Sequence, residues 1–370
     1  MTDIPTSLAQ LTPQWVNEQL AAGASALPPV ADLAVAPMGG HVGALGEVGV
    51  VTVTWDGGDG SEPTRFVAKC PLDDDIARLY NTVMQFYVRE CGFYRDLAGD
   101  LVAESGMRIP GCHVNRYDPE SGAAFLLLDF VDGTPGDILT GCDVDTLRTL
   151  VGDLARMHGR FWMDPRLEGH DWILDWGTET FKLGIDITRQ SWNQLAQSEP
   201  DRYPRELFDV LQRTWIDDTE HFLELYAARP WTLGHVDYEL DNVIIDGDGP
   251  IVIDWQSVMR THPGLDLAWL LAVSHNDETL EAEGELCDHY RSVLAASGGP
   301  DWSAEDLEEA LAWGILYPVG CQPVPYLQDT SAYGVDADRM HRRFDKFLSG
   351  AIEGAVRWNL VDHVGAHARR

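Results

Sequence analysis

The feature that most constrains this chain is a change in the period of its apolar residues near residue 131. Before that point segments 31–38, 48–55 and 65–70 read as strands, with Val51, Val53 and Trp55 alternating against Thr52 and Thr54. Gly57-Gly58-Asp59-Gly60 supplies the turn between the last two. Two more strands are expected at 108–117 and 124–130, the second holding the apolar run Ala124-Phe125-Leu126-Leu127-Leu128. From Ile76 to Leu97 the apolar spacing is that of one long amphipathic helix, and near the N-terminus Thr12-Pro13 reads as a cap and first turn.

After residue 131 helical patterns dominate, at 143–162, at 204–228 and in several segments between 264 and 358. One β island interrupts them: Asn242-Val243-Ile244-Ile245, the turn Asp246-Gly247-Asp248-Gly249, and Ile251-Val252-Ile253-Asp254. A chain of 370 residues is longer than one ordinary core supports. The expected class is therefore α+β with two lobes, a β-rich lobe over 1–130 and a mainly helical lobe over 131–370.

Composition removes several kinds of function. A formal charge of −34 has the wrong sign for a general binder of nucleic acid or of anionic membranes. No segment approaches 18 uninterrupted apolar residues, and Met1-Thr2-Asp3 opens without a basic region. The six cysteines are scattered without a C-x-x-C pair, so reduced thiols and a cytoplasmic location are expected. A nucleophile elbow, a dinucleotide-binding glycine fingerprint and a P-loop are all lacking.

What remains is a dispersed set of groups with the spacing of a phosphotransferase. Asp237 is followed five residues on by Asn242, and Asp254 follows a short hairpin. An aspartate that deprotonates an attacking hydroxyl, an asparagine and a second aspartate can converge on one metal-nucleotide site. Only three lysines occur, Lys69, Lys182 and Lys346, so Lys69 inside the strand Phe66-Val67-Ala68-Lys69 stands out. Glu90 falls on the apolar stripe of the 76–97 helix, where a carboxylate needs a partner, and Lys69 is the expected one. The glycines of the Gly39–Gly46 loop would let backbone N–H groups approach phosphate.

These residues resemble the protein-kinase-like small-molecule kinases that include aminoglycoside phosphotransferases, choline kinases and ecdysteroid-kinase-like proteins. The resemblance spans about residues 33–275. It rests on Lys69, Arg89-Glu90 with Phe93-Tyr94, the Leu126–Gly133 hinge and Leu154-Ala155-Arg156-Met157-His158. The His235–Asn242 loop, Asp254-Trp255-Gln256 and Asp266-Leu267-Ala268 add to it and lean toward the ecdysteroid-kinase-like branch.

The resemblance implies a protein-kinase-like fold with Asp237 as catalytic base, Asn242 and Asp254 as magnesium ligands and Lys69, supported by Glu90, on the nucleotide phosphates. Gly40 and Gly43 would belong to the phosphate loop. The main chain at Asp129 and Val131 would bind the adenine of ATP, with GTP left open as donor. His235 is expected to buttress the loop backbone and Asp266 to hold it from a helix N-terminus. Where the family commonly has His-Gly-Asp this chain has His235-Val236-Asp237, and the glycine-rich loop departs from a clean kinase signature.

The expected reaction moves the ATP γ-phosphoryl group to a hydroxyl of an aminoglycoside-, choline-, sugar- or sterol-like acceptor. The partner is a small molecule, with no nucleic acid and no membrane, and the oligomeric state is left open. A catalytically silent kinase-like module is the alternative, and phosphorylation of a protein side chain a further one. His158 reads as a hydrogen-bonded core histidine. Tyr238, Glu239 and Asp241 read either as substrate-facing groups or as exposed loop polarity.

Overall fold

A computed structural model describes residues 3–23, 25–38, 46–72, 81–177, 179–331 and 336–367, the side chains of 179–186 apart. The chain divides into two compact units, and not by a single cut. The first contains residues 1–100, 108–132 and 253–256; the second contains 101–107, 133–252 and 257–370.

The first unit is built on a five-stranded antiparallel sheet in the order β1-β2-β3-β5-β4. Its strands are β1 (Val30–Pro37), β2 (Gly46–Trp55), β3 (Arg65–Pro71), β4 (Cys112–Tyr117) and β5 (Ala124–Asp129). The alternation legible in β2 fixes which face is buried: Val51 and Val53 go into the core with Phe66, Ala68, Phe125 and Leu127. The helix Pro13–Ala22 packs Trp15, Val16 and Leu20 into the same core, and the Thr12 side chain caps it by accepting the Trp15 N–H.

The stripe that reads as one helix from Ile76 to Leu97 is divided. Gln85 adopts a left-handed backbone (φ 56°), and the helix carrying Glu90 runs only over Phe86–Asp96. Residues 76–80 lie outside the described residues.

In the second unit the 143–162 pattern forms the helix Val144–Arg160, capped by Asp143 accepting from the Thr146 N–H. The 204–228 pattern is split into Arg205–Leu211, a π-helical turn Gln212–Ile216 and Thr219–Ala227. The β island is a hairpin of β8 (Val243–Asp246) and β9 (Gly249–Val252), extended by β6 (Thr134–Pro135) on β8. A second small ladder pairs β7 (Thr232–Gly234) with β10 (Met259–Thr261). The same unit holds the helix Gly264–Val273, buried at every residue and therefore free to be apolar on all sides but for Asp266. Among the described residues no helix is long and apolar enough to cross a membrane, and all six cysteines are free thiols.

Candidate active site

In the first unit β3 alternates so that Phe66, Ala68 and Cys70 face the core while Lys69 takes the other face. Its strand is internal, with Lys69 opposite Val48 of β2 and Leu126 of β5. From there Nζ reaches Glu90 Oε1 at 2.7 Å and Asp254 Oδ1 at 2.8 Å. Glu90 is 1% exposed, and a carboxylate so placed needs its ammonium partner. Burial alone would lower the Lys69 pKa, but Asp254 and Glu90 together outweigh it and hold the ammonium above its ordinary range. Burial raises Glu90 above the usual carboxylate range, with Lys69 opposing and Asp254 adding to the rise.

Asp254 itself has a left-handed backbone (φ 63°) and a side chain 28% exposed. The next residue, Trp255, stacks on Phe93 of the Glu90 helix with centroids 4.1 Å apart and planes 3° from parallel. That stack fixes Asp254 beside Lys69 within the same unit.

The expected hinge leaves β5 at Asp129, which pairs with Phe66. The Asp129 carboxylate accepts the Gly111 N–H at 2.8 Å and lies 2.6 Å from His113 Nε2. The His113 hydrogen bond outweighs burial and lowers the Asp129 pKa. Arg65 lies over the Phe130 ring at 4.1 Å and pairs with Asp132 at 2.8 Å. Val131 is partly exposed in the irregular stretch between them. Gly40 and Gly43 lie outside the described residues.

In the second unit the loop after β7 carries His235, Asp237 and Asn242. Asp266, two residues into the helix Gly264–Val273, is fully buried and accepts the His235 N–H at 2.8 Å and the Val236 N–H at 2.6 Å. The oxygen that accepts the His235 N–H, Oδ2, also faces His158 Nε2 at 3.4 Å, and His158 Nδ1 lies 2.7 Å from the Tyr290 hydroxyl. Gly234 makes this approach possible: a Cβ there would collide with Thr261 and crowd Asp266 Oδ2. His235 is buried, and its Nδ1 accepts the Asp237 N–H at 3.3 Å.

Asn242 closes the loop, its Nδ2 donating to the Asp237 carbonyl at 2.9 Å and to Asp237 Oδ2 at 3.0 Å. This orientation leaves Asn242 Oδ1 as an acceptor. Asn242 ends a 3₁₀ turn, Leu240–Asn242, rather than starting the strand, and β9 stops at Val252, two residues short of Asp254.

The residues flanking Asp237 are not exposed loop polarity. Tyr238 is buried and donates to the Leu150 carbonyl at 3.1 Å, and Glu239 is buried against Arg343. Arg343 lies 104 residues from Glu239, on the helix Ala337–Arg357. Helical periodicity identifies the buried side of that helix but not the loop it meets. The tryptophans at 172, 176, 192 and 255 are all core residues.

This architecture occurs in solved structures. A choline kinase from Cryptosporidium parvum Iowa II shares it with 14% identity and a TM-score of 0.54, over 88% of this chain and 90% of that one. A spectinomycin phosphotransferase, APH(9)-Ia, solved with ADP and spectinomycin, matches at 13% identity and a TM-score of 0.51, over 95% and 99%. The fold is thus kinase-like, a β-sheet lobe and a helical lobe in an α+β chain. Residues 57–307, about two-thirds of the chain, match the phosphotransferase enzyme family (APH), and the protein belongs to it. No curated protein matches the chain.

Proposed function

We propose that this phosphotransferase is an ATP- and magnesium-dependent small-molecule kinase acting on a hydroxyl group. The observation that carries the reading is the Lys69 ammonium held between buried Glu90 and part-exposed Asp254 in a chain of this family. Lys69 would meet the nucleotide phosphates, the Asp129 and Val131 main chain the adenine, and Gly40 and Gly43 the phosphate tail. Asn242 Oδ1 and the Asp254 oxygen not bonded to Lys69 are the oxygen donors suited to magnesium. Magnesium, when bound, neutralises charge on the β- and γ-phosphoryl oxygens.

Asp237 would accept the proton of the acceptor hydroxyl as its oxygen bonds to the γ-phosphorus. The bond from that phosphorus to the ADP oxygen breaks, and ADP leaves with the electron pair. Asn242 aims the Asp237 carboxylate, while Asp266 and His235 fix the loop backbone. The acceptor classes proposed are aminoglycoside-, choline-, sugar- and sterol-like alcohols, and the nearest branch proposed is the ecdysteroid-kinase-like one.

The test is calorimetric titration with ATP and with GTP, each with magnesium, beside Asp254→Ala. Metal-dependent binding of at least one nucleotide, lost in the variant, is the expected result. Binding of neither nucleotide would reject the reading, and binding with no phosphorylated product from any acceptor would turn it into the silent module.

A further inference from the structure

We propose that Arg343 is a positioning residue for the reaction, locking the loop that carries Asp237 from the helix Ala337–Arg357. The proposal rests on the reading of Asp237 as the base. Asp266 pins the loop before Asp237, at the His235 and Val236 N–H groups. After Asp237 the matching anchor is Arg343. Its Nη2 donates to Glu239 Oε1 at 2.7 Å and its Nε to Asp241 Oδ2 at 2.6 Å.

A guanidinium forked across two carboxylates fixes both position and orientation, as a single point charge could not. The Phe347 ring, 4.6 Å away on the same helix, holds the fork. Asp241 uses its other oxygen on the Ile138 N–H at 2.9 Å, and Arg339, one turn earlier, pairs with Asp137 at 3.1 Å. The 3₁₀ turn ending at Asn242 is thereby fastened at both carboxylates, and Asn242 in turn holds Asp237 Oδ2.

The dependence on Arg343 is strong because Glu239 has no second support. It is 0% exposed, and its Oε2 has no hydrogen-bond partner among the described residues. Burial and the neighbouring Asp237 push its pKa well up, and Arg343 opposes them. Without the guanidinium Glu239 and Asp241 would lose the cation that binds them both, and the buried Glu239 would have to take up a proton or move toward water.

The test uses the full chain and ATP with magnesium, with water as acceptor, and follows ADP release for wild type, Asp237→Asn, Arg343→Met and Arg343→Lys. All are assayed well below the melting temperature of the least stable variant. Misplacing a reacting group by an ångström costs about 10²-fold, so Arg343→Met is expected to lower kcat roughly 10²-fold with KM for ATP within about twofold. Arg343→Lys, able to meet only one carboxylate, should recover to about a tenth of wild type. Turnover of Arg343→Met within about threefold of wild type, or a KM that rises as far as kcat falls, overturns the proposal. If Arg343→Met does not fold, Arg343→Lys decides alone, and turnover within about threefold of wild type again overturns it. If wild type releases no more ADP than Asp237→Asn, the reading of Asp237 itself fails, and the role of Arg343 fails with it.

Discussion

Val236 combines a β-branched side chain with a backbone at φ 70°, a conformation that costs such a residue roughly 1–2 kcal/mol. Asp266 imposes it by taking the Val236 N–H at 2.6 Å together with that of His235. Glycine at this position would relieve the steric cost and give back part of it as unfolded-state entropy. Val236→Gly is therefore expected to be neutral to stabilising, by up to about 1 kcal/mol, in urea unfolding; a loss of more than about 1 kcal/mol would show the side chain packing to matter more. The departure from glycine is visible in the sequence, but the strain is not, because φ is set by an aspartate 30 residues away. The Lys69 and Glu90 contact is far more legible: a rare lysine on one face of a strand and a carboxylate on an apolar stripe each need the other. The fork of Arg343 has no such signal, since nothing local to residue 343 marks it as different from the other arginines.

At the scale of elements the helices Gly264–Val273 and Ala304–Cys321 meet through glycine. A Cβ on Gly314 would overlap the Gly264 carbonyl, and one on Gly264 would overlap that of Ala310. Pro318 adds a local reason for the register, because it has no N–H for the Gly314 carbonyl four residues back. The Tyr226 hydroxyl lies 3.4 Å from that carbonyl while donating to Trp313 O. Gly314→Ala is expected to cost about 2–3 kcal/mol by overpacking, read as a lower melting temperature, and to speed amide exchange at 235 and 236 because Asp266 rides on the displaced helix. Unchanged stability would mean that the two helices separate at little cost. Sequence periodicity, a local property, announces helices between 264 and 358 without bounding each of them. It misses the break at Gln85 and the π turn at Gln212–Ile216, since neither carries a glycine or proline that would announce it.

For the whole molecule, acid stability is expected to depend on a buried histidine that has no part in the proposed reaction. His262 is buried, stacked on Trp302 with centroids 6.3 Å apart, and its Nδ1 accepts the Gly264 N–H at 3.2 Å. Burial, with repulsion from Arg229 and His158, brings its pKa down to about 3. The unfolded chain therefore binds a proton near pH 6.5 that the folded one refuses. The stability present above that pH is lost as pH falls toward 3, by up to about 1.4 kcal/mol per unit. His262→Gln should flatten the slope of unfolding free energy against pH by about one proton between about pH 6 and pH 4; an unchanged slope would mean that His262 is protonated in the fold.

The frame of strands and helices is legible at this scale, whereas the acceptor is not, because the C-terminal helices carry core periodicity and little else. One further consequence follows from the four residues Ile253–Gln256, which belong to the first unit although the chain on both sides of them belongs to the second. They bring the Trp255 ring onto Phe93 and Asp254 onto Lys69. A ribosome finishes the sheet of the first unit by residue 129 but delivers those two contacts more than a hundred residues later. The first unit is thus not complete when its sheet is, and the nascent chain must keep the surroundings of Phe93 and Lys69 open until most of the protein has emerged.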